Sequence, residues 1–227
     1  DGSEFLDFKP QIGISTVCLQ AEIFGLACGI IGNNGPIDPS GANKATQFMQ
    51  LLDQANIPVL FFQNTTGYMV GTKSEQAGMI KHGSKMIQAV QNLEVPRITL
   101  MTGASFGAGN YGMCGRAFEP DFLYTWPNAS TGVMGGEQAA KTMSIVARGK
   151  AEASGSVVDE ELLAQQEKML AMKFDSQSDA FYTSGHLMDD GMIDPRQTRN
   201  TVGMLLETVL EARRRVIRPN SYGVSRL

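Results

Sequence analysis

Two stretches of this chain follow one grammar, and together they limit what it can fold into. "IPVLFFQN" (57–64) and "VPRITLMTG" (95–103) each carry a proline near the start and run into a β-rich apolar stretch. Each ends in small or amide residues and leads into a helical pattern. The distance between Pro58 and Pro96 leaves room for a strand, a loop and a crossover helix. Within that crossover, Thr72-Lys73-Ser74-Glu75 offers a capping box. Met79, Ile80, Gly83, Met86, Ile87 and Val90 then recur on one helical face. A third unit has a helix from about Gly107 followed by the strand "FLYTWP". Such β-α-β succession predicts an α/β fold of parallel strands with helices packed on them.

The flanking segments fit that scheme. Thr16–Phe24 and Leu26–Asn33 read as strands linked around Gly25, and Asn34-Gly35-Pro36 as a turn. Ala45, Phe48, Met49 and Leu52 mark the buried face of a helix from Asn43 to Ala55. "GGEQAAKTMSIV" reads as a helix entered through Gly135-Gly136. "ARGKAEASGS" (147–156) is polar and small and reads as a mobile surface loop. Residues 159–174 form another helical stretch. Asp194-Pro195-Arg196-Gln197 is a helix start, with Asp as cap and Pro at the first helical position. That helix carries Val202, Leu205, Leu206, Val209 and Leu210 on one face. Arg213, Arg214 and Arg215 close it, where positive charge suits the helix dipole. No linker composition interrupts the chain, so 1–227 is expected to be one domain.

Composition excludes several classes. With 42% hydrophobic and 19% charged residues among 227, the chain can bury a core. A net charge of -4 and a pI near 5.2 argue against bulk nucleic-acid binding. No apolar run reaches membrane-spanning length, so no membrane span is expected. Asp1-Gly2-Ser3-Glu4 is no signal peptide and lacks an initiator Met, which suggests a segment of a longer polypeptide. Cys18, Cys28 and Cys114 are odd in number and form no C-x-x-C, so buried reduced thiols are expected. His82 and His186 are the two histidines, and no metal site is expected.

Gly103-Ala104-Ser105-Phe106-Gly107 matches the G-x-S-x-G pattern of a serine hydrolase. A serine nucleophile needs a base within reach and a third group to orient it. His186, near Asp189 and Asp190, is the one histidine that follows Ser105, and His82 sits among lysines as a surface residue. The alternative uses the backbone. Gly107, Ala108 and Gly109 open a helix whose first N–H groups lack internal partners and carry positive partial charge. Glycine and alanine let a ligand approach closely. This is a place to stabilise an oxyanion without a side chain. The competing reading is a glycine-rich turn needed for packing alone. At the other strand end, Thr66-Gly67-Tyr68-Met69-Val70-Gly71 forms a second glycine-flanked loop, and strand ends of this kind gather at a ligand crevice.

"QNTTGYMVG…EQAGMIKHGSKMIQAV…VPRITLMTGASFGAGNYGMCGRAFEPDFLYTWPNASTGVMGGEQAA" closely resembles the carboxyltransferase β subunits of biotin-dependent acyl-CoA carboxylases. The members it resembles most act on branched enoyl-CoA, namely 3-methylcrotonyl-CoA and geranyl-CoA. The likeness runs from "DGSEFLDFKP" through "DDGMIDPRQTR" to "YGVSRL" and is densest over 58–140. It implies a crotonase-like (ClpP/crotonase) β-β-α spiral fold and a chain that is the C-terminal half of a β subunit. In that family the N-terminal half carries most of the acyl-CoA site and the C-terminal half holds biotin. The active site lies between halves of different subunits in a hexamer. The implied partners are therefore acyl-CoA, the N-terminal half, an α subunit with biotin carboxylase and biotin carrier, and further copies of the chain. The implied compartment is bacterial cytoplasm or mitochondrial matrix.

The resemblance also assigns residues. The N–H groups of Gly107 and Ala108 would meet the ureido oxygen of biotin. Thr66, Gly67, Tyr68, Met69 and Val70 would wall the pocket, with Phe106, Gly135 and Gly136 beside it. The cofactor, carboxybiotin on a separate carrier domain, would supply the base for removing the γ-proton of the enoyl thioester. The protein would supply positioning and dipoles. Ser105 would then be structural. Pro36-Ile37-Asp38-Pro39-Ser40-Gly41 departs from the methylcrotonyl pattern and looks more like the geranyl-CoA type. Rival readings are a carboxyltransferase for a saturated acyl-CoA such as propionyl-CoA, a crotonase-fold hydratase or isomerase, a ClpP-like peptidase, and a non-catalytic assembly domain. A hydratase usually needs acidic residues near the helix motif, and "GAGNYGM" offers none. The segment alone is expected not to carboxylate acyl-CoA.

Overall fold

The computed structural model describes residues 2, 4–155, 159–216, 219 and 223. Seven strands form one sheet. The short β1 (Leu6–Asp7) pairs antiparallel with β2 (Thr16–Ile23), which pairs antiparallel with β3 (Leu26–Asn33). After α1 (Pro39–Gln54) the chain enters β4 (Val59–Thr65), parallel to β3. Two helices follow, α2 (Thr72–Gln76) and α3 (Met79–Gln91), before β5 (Arg97–Phe106), parallel to β4. The brief α4 (Gly107–Gly112) leads to β6 (Phe122–Thr125) and β7 (Ser130–Gly132). Both pair parallel with β5 on one edge, β6 along Ile98–Met101 and β7 along Ala104–Phe106. Beyond β7 the described helices include α5 (Gly136–Ser154), α6 (Glu160–Ser178), α7 (Ala180–Gly185) and α8 (Thr198–Arg214).

The expected parallel core is therefore β3 to β7, and the β2–β3 hairpin extends it. Strand β4 explains why it forms. Successive side chains of a strand point to opposite faces, and here both faces are covered. Val59 and Phe61 pack with Phe48, Met49 and Leu52 of α1 and Met86 and Val90 of α3. Leu60 and Phe62 join Ile98 and Leu100 of β5 against Val202, Leu205, Leu206 and Val209 of α8. The apolar run "VLFF" is thus a strand buried between two helical layers.

Several local expectations are corrected. Helix α1 starts at Pro39, not near Asn43, because Asp38 caps it by accepting from the Gly41 N–H at 2.9 Å. No capping box forms at Thr72–Glu75. Thr72 already lies inside α2, and the flanking Gly71 donates no side chain. The crossover is two helices, because Gly78 adopts a left-handed φ of 87° between them. Ile80 is 77% exposed, so it leaves the buried face formed by Met79, Gly83, Met86 and Val90. Residues 147–154 are helical and not a loop. Gly155 ends α5 in the left-handed conformation, and Ser156 lies outside the described residues. The start at Asp194 holds, although its first turn, Pro195–Gln197, is 3-10 before α8 begins. Of the terminal "YGVSRL", all but Gly223 falls outside the described residues.

Candidate active site

The parallel strands β4 and β5 end on the same side of the sheet, and the chain leaves each through a glycine. After β5 the backbone turns at Phe106, which is extended (φ -115°, ψ 147°), into Gly107 with φ 59°. That left-handed conformation suits glycine. A Cβ on Gly107 would stand 3.2 Å from the Val133 carbonyl oxygen. No side chain caps the first turn of α4. Its leading N–H groups, at Gly107 and Ala108, have no acceptor within a helix that has only just begun. The next turn is held close to the loop after β4: a Cβ on Gly109 would meet the Gly67 Cα at 2.6 Å.

Behind this turn lies a buried polar cluster. Ser105 is fully buried on β5, and its hydroxyl donates to the Gln63 Oε1 on β4. It also accepts from the Asn110 Nδ2 at 2.8 Å. Gln63, itself fully buried, donates through Nε2 to the Met113 carbonyl at 2.7 Å. Asn110 Nδ2 lies 3.3 Å from Gln63 Oε1 as well. The Ser105 carbonyl accepts from Thr131 Oγ1 at 2.7 Å. Ser105 therefore has an amide pair as its partners, and no imidazole. His186 is engaged elsewhere, with Nδ1 at 2.8 Å from the Tyr182 carbonyl and its ring against that of Tyr182. Asp189 accepts from Ser184 Oγ at 2.8 Å, and Asp121 accepts from the Arg97 N–H. A hydrolase triad is not assembled, and Ser105 is a structural residue.

Gly107 and Ala108 line a cavity of about 770 Å³. Met101 and Leu123 form its floor, Val133 and Met188 its apolar walls, and Asn110, Thr131 and Thr183 its polar points. Among the described residues no carboxylate or imidazole lines it, and the charged residue in the lining is Arg116. Arg116 is exposed and pairs with Asp190 at 3.5 Å. Larger in volume, at about 900 Å³, is a polar groove between α1 and α3 walled by residues such as Gln47, Asp53 and Lys85. None of the expected site residues touches it.

The other expected residues do not line this cavity. The loop after β4 packs beneath α4: Gly67 (φ 119°) lies under Gly109 and beside the Phe106 carbonyl. Tyr68 is half-buried between α3 and α4, its hydroxyl donating to the Gly83 carbonyl at 3.3 Å. Burial holds that hydroxyl well above the usual phenol range. Met69 turns toward a separate recess beside Ser40 and His82, and Val70 and Thr66 are exposed. Gly135 and Gly136 open α5 beside Asp175, whose Oδ1 accepts from the Gly136 N–H at 3.2 Å. Residues not anticipated from sequence are Gln63, Asn110 and Thr131 behind the turn, and Thr183 and Met188 from the C-terminal segment. The signal for Gln63 was a lone amide at a core-facing position of an apolar strand.

The three thiols are buried and free. Burial raises Cys18 and Cys114 to about 12 and Cys28 to about 11. They are inert core side chains and not nucleophiles.

Comparison with known proteins decides the family. The carboxyl transferase domain model matches residues 1–221. The chain belongs to the carboxyl transferase family. Among its relatives is the probable biotin-dependent acyl-coenzyme A carboxylase beta2 subunit of Mycobacterium tuberculosis, 50% identical over 210 residues, covering 92% of this chain and 40% of that protein. The mitochondrial methylcrotonoyl-CoA carboxylase beta chain of Arabidopsis thaliana is 43% identical over 227 residues, covering 100% of this chain and 38% of that protein. In structure, the P. aeruginosa geranyl-CoA carboxylase beta subunit superposes with a TM-score of 0.92 at 54% identity, over 100% of this chain and 43% of that one. This carboxyl transferase chain thus spans about two-fifths of the length of the relatives it matches. The crotonase-type α/β architecture implied by the sequence is that of these neighbours.

Proposed function

We propose that this chain is a domain of a biotin-dependent acyl-CoA carboxylase, and that it holds carboxybiotin while CO2 passes to the γ-carbon of a branched enoyl-CoA. The observation that carries the reading is the uncapped first turn of α4 opening onto a largely apolar cavity. The residues present fit biotin. The missing Cβ at Gly107 leaves a cradle against Val133, and the cavity volume admits a compact bicyclic ring. Preorganised N–H donors in a dry site are worth far more than in water.

When bound, carboxybiotin supplies both the carboxyl group and, once that group has left, the nitrogen that accepts the substrate proton. The chain's part is electrostatic and geometric. With the cofactor bound, the Gly107 and Ala108 amides would hold the oxygen on which negative charge develops. The buried Met101 and Leu123 would keep water from one side of that contact. Phe106 fixes the turn, and Gly67 and Tyr68 support it from below. Thr66, Met69, Val70, Gly135 and Gly136 lie outside this cavity, and any contact they make with the cofactor would lie beyond the ring. The described lining residues are apolar, amide, hydroxyl and glycine groups with Arg116, and the base would arrive with the cofactor.

The enoyl thioester would be presented by the N-terminal half of a β subunit, with the carrier delivered by an α subunit. Exposed Met143 (57%), Ile145 (71%), Met169 (71%) and Met172 (64%) on the α5–α6 pair support a surface that meets other protein in a homo-oligomer. The branched enoyl preference rests on relatives at 40–54% identity, against 29% for the methylmalonyl-CoA carboxyltransferase 12S subunit. The test is ATP-dependent fixation of labelled bicarbonate by the full-length β subunit with its α subunit, offered 3-methylcrotonyl-CoA, geranyl-CoA and propionyl-CoA. Labelling of a branched enoyl substrate in preference to propionyl-CoA is expected. Labelling of propionyl-CoA alone, or hydration without labelling, contradicts the reading.

A further inference from the structure

We infer that Gln63 is a positioning residue for carboxyl transfer, bracing both ends of α4 so that the Gly107–Ala108 turn stays aimed into the cavity. The inference rests on the function proposed above and adds a residue that lies outside the cavity lining. Helix α4 cannot hold its own geometry. It has six residues, three of them glycine, and no side-chain cap. Such a segment is too short and too glycine-rich to be stable alone. Besides the close packing of Gly109 on Gly67, a buried amide on the neighbouring strand holds it. Gln63 Nε2 donates to the Met113 carbonyl, at the C-terminal end of α4, at 2.7 Å. Gln63 Oε1 accepts from the Ser105 hydroxyl, two residues before Gly107. Asn110 Nδ2, in the middle of α4, donates to Ser105 Oγ at 2.8 Å and lies 3.3 Å from the same Gln63 Oε1.

Every polar atom of the Gln63 side chain is thus spent on α4 or on the strand that leads into it. The residue is fully buried, so no water replaces a lost partner at low cost. The amide is asymmetric in its demands: one end must donate and the other accept. A glutamic acid in the same place meets both demands while protonated, since its O–H can serve the Met113 carbonyl and its other oxygen can serve Ser105 and Asn110. Ionised, it sets a carboxylate oxygen against the Met113 carbonyl and the brace opens. Burial pushes a carboxyl's pKa up, which brings this change toward the working pH range.

The experiment uses the full-length β subunit assembled with its α subunit, comparing wild type, Gln63→Leu and Gln63→Glu, with assembly checked by size. Misplacing reacting groups by about 1 Å costs on the order of 100-fold in rate, so Gln63→Leu should lower kcat to that extent with little change in the KM for acyl-CoA. Gln63→Glu should approach wild type at the acid end of the profile and lose kcat as pH rises, relative to wild type. The pH comparison still decides if Gln63→Leu does not assemble. An assembled Gln63→Leu with wild-type kcat, or a Gln63→Glu profile parallel to wild type, overturns the inference. Inactivity of the wild type with every acyl-CoA would instead remove the function on which it rests.

Discussion

At the scale of single residues, the site depends on what glycine leaves out. Gly109 sits so close to Gly67 that a Cβ would meet its Cα at 2.6 Å. Neither backbone can move without shifting the turn. Gly109→Ala is therefore expected to destabilise by about 1–3 kcal/mol, as overpacking does, and to lower carboxyl transfer in the full-length enzyme. Thermal unfolding and rate measurements on the same preparation check this. Gly107→Ala acts differently, because its φ of 59° imposes roughly 1–2 kcal/mol of left-handed strain on any other residue. Both glycines were legible in "GASFGAGNYG". The partners of Ser105 were not. Gln63 and Asn110 reach it across two elements, and a one-dimensional pattern carries no record of such proximity.

At the scale of elements, caps and covered faces decide where helices begin and strands lie. Asp38 caps α1 from just beyond the Asn34-Gly35-Pro36 turn. Asp38→Ala should cost about 1 kcal/mol, read as a lowered unfolding midpoint with the same cooperativity. The same Asp-Pro signature at Asp194-Pro195 was recognised from sequence. At Asp38-Pro39 the adjacent turn and a second proline masked it. Strands β4 and β5 were legible because their apolar runs are buried on both faces. The second half of α5 was not, because it lacks an apolar stripe. Residues 145–150 are exposed all round, so composition alone suggested a loop. An Arg148–Glu160 contact at 2.7 Å ties that part of α5 to the start of α6.

At the scale of the whole molecule, the buried thiols set an alkaline limit on stability. Cys18, Cys28 and Cys114 have folded values of about 12, 11 and 12 against an ordinary 9.0. The folded state keeps these protons where the unfolded chain would release them. Stability is thus unaffected by these groups below pH 9 and is lost as pH rises from about 9 toward 12. Denaturant unfolding across that range should show the decline, and replacing the three cysteines with alanine should flatten it. The apolar exposure of α5 and α6 belongs to the same scale. The chain spans about two-fifths of the length of its relatives, and under the proposed function the isolated chain is expected to show no acyl-CoA carboxylation in the bicarbonate assay. The most direct measurement replaces the Ala108 peptide N–H by an ester oxygen, incorporating lactic acid for alanine in the full-length β subunit. This deletes one proposed donor and leaves the side chain unchanged. Removing a single oxyanion donor costs on the order of 100- to 1,000-fold in kcat, and the account predicts a loss of that size with assembly and acyl-CoA KM preserved. An ester variant that assembles and turns over at the wild-type rate would contradict it.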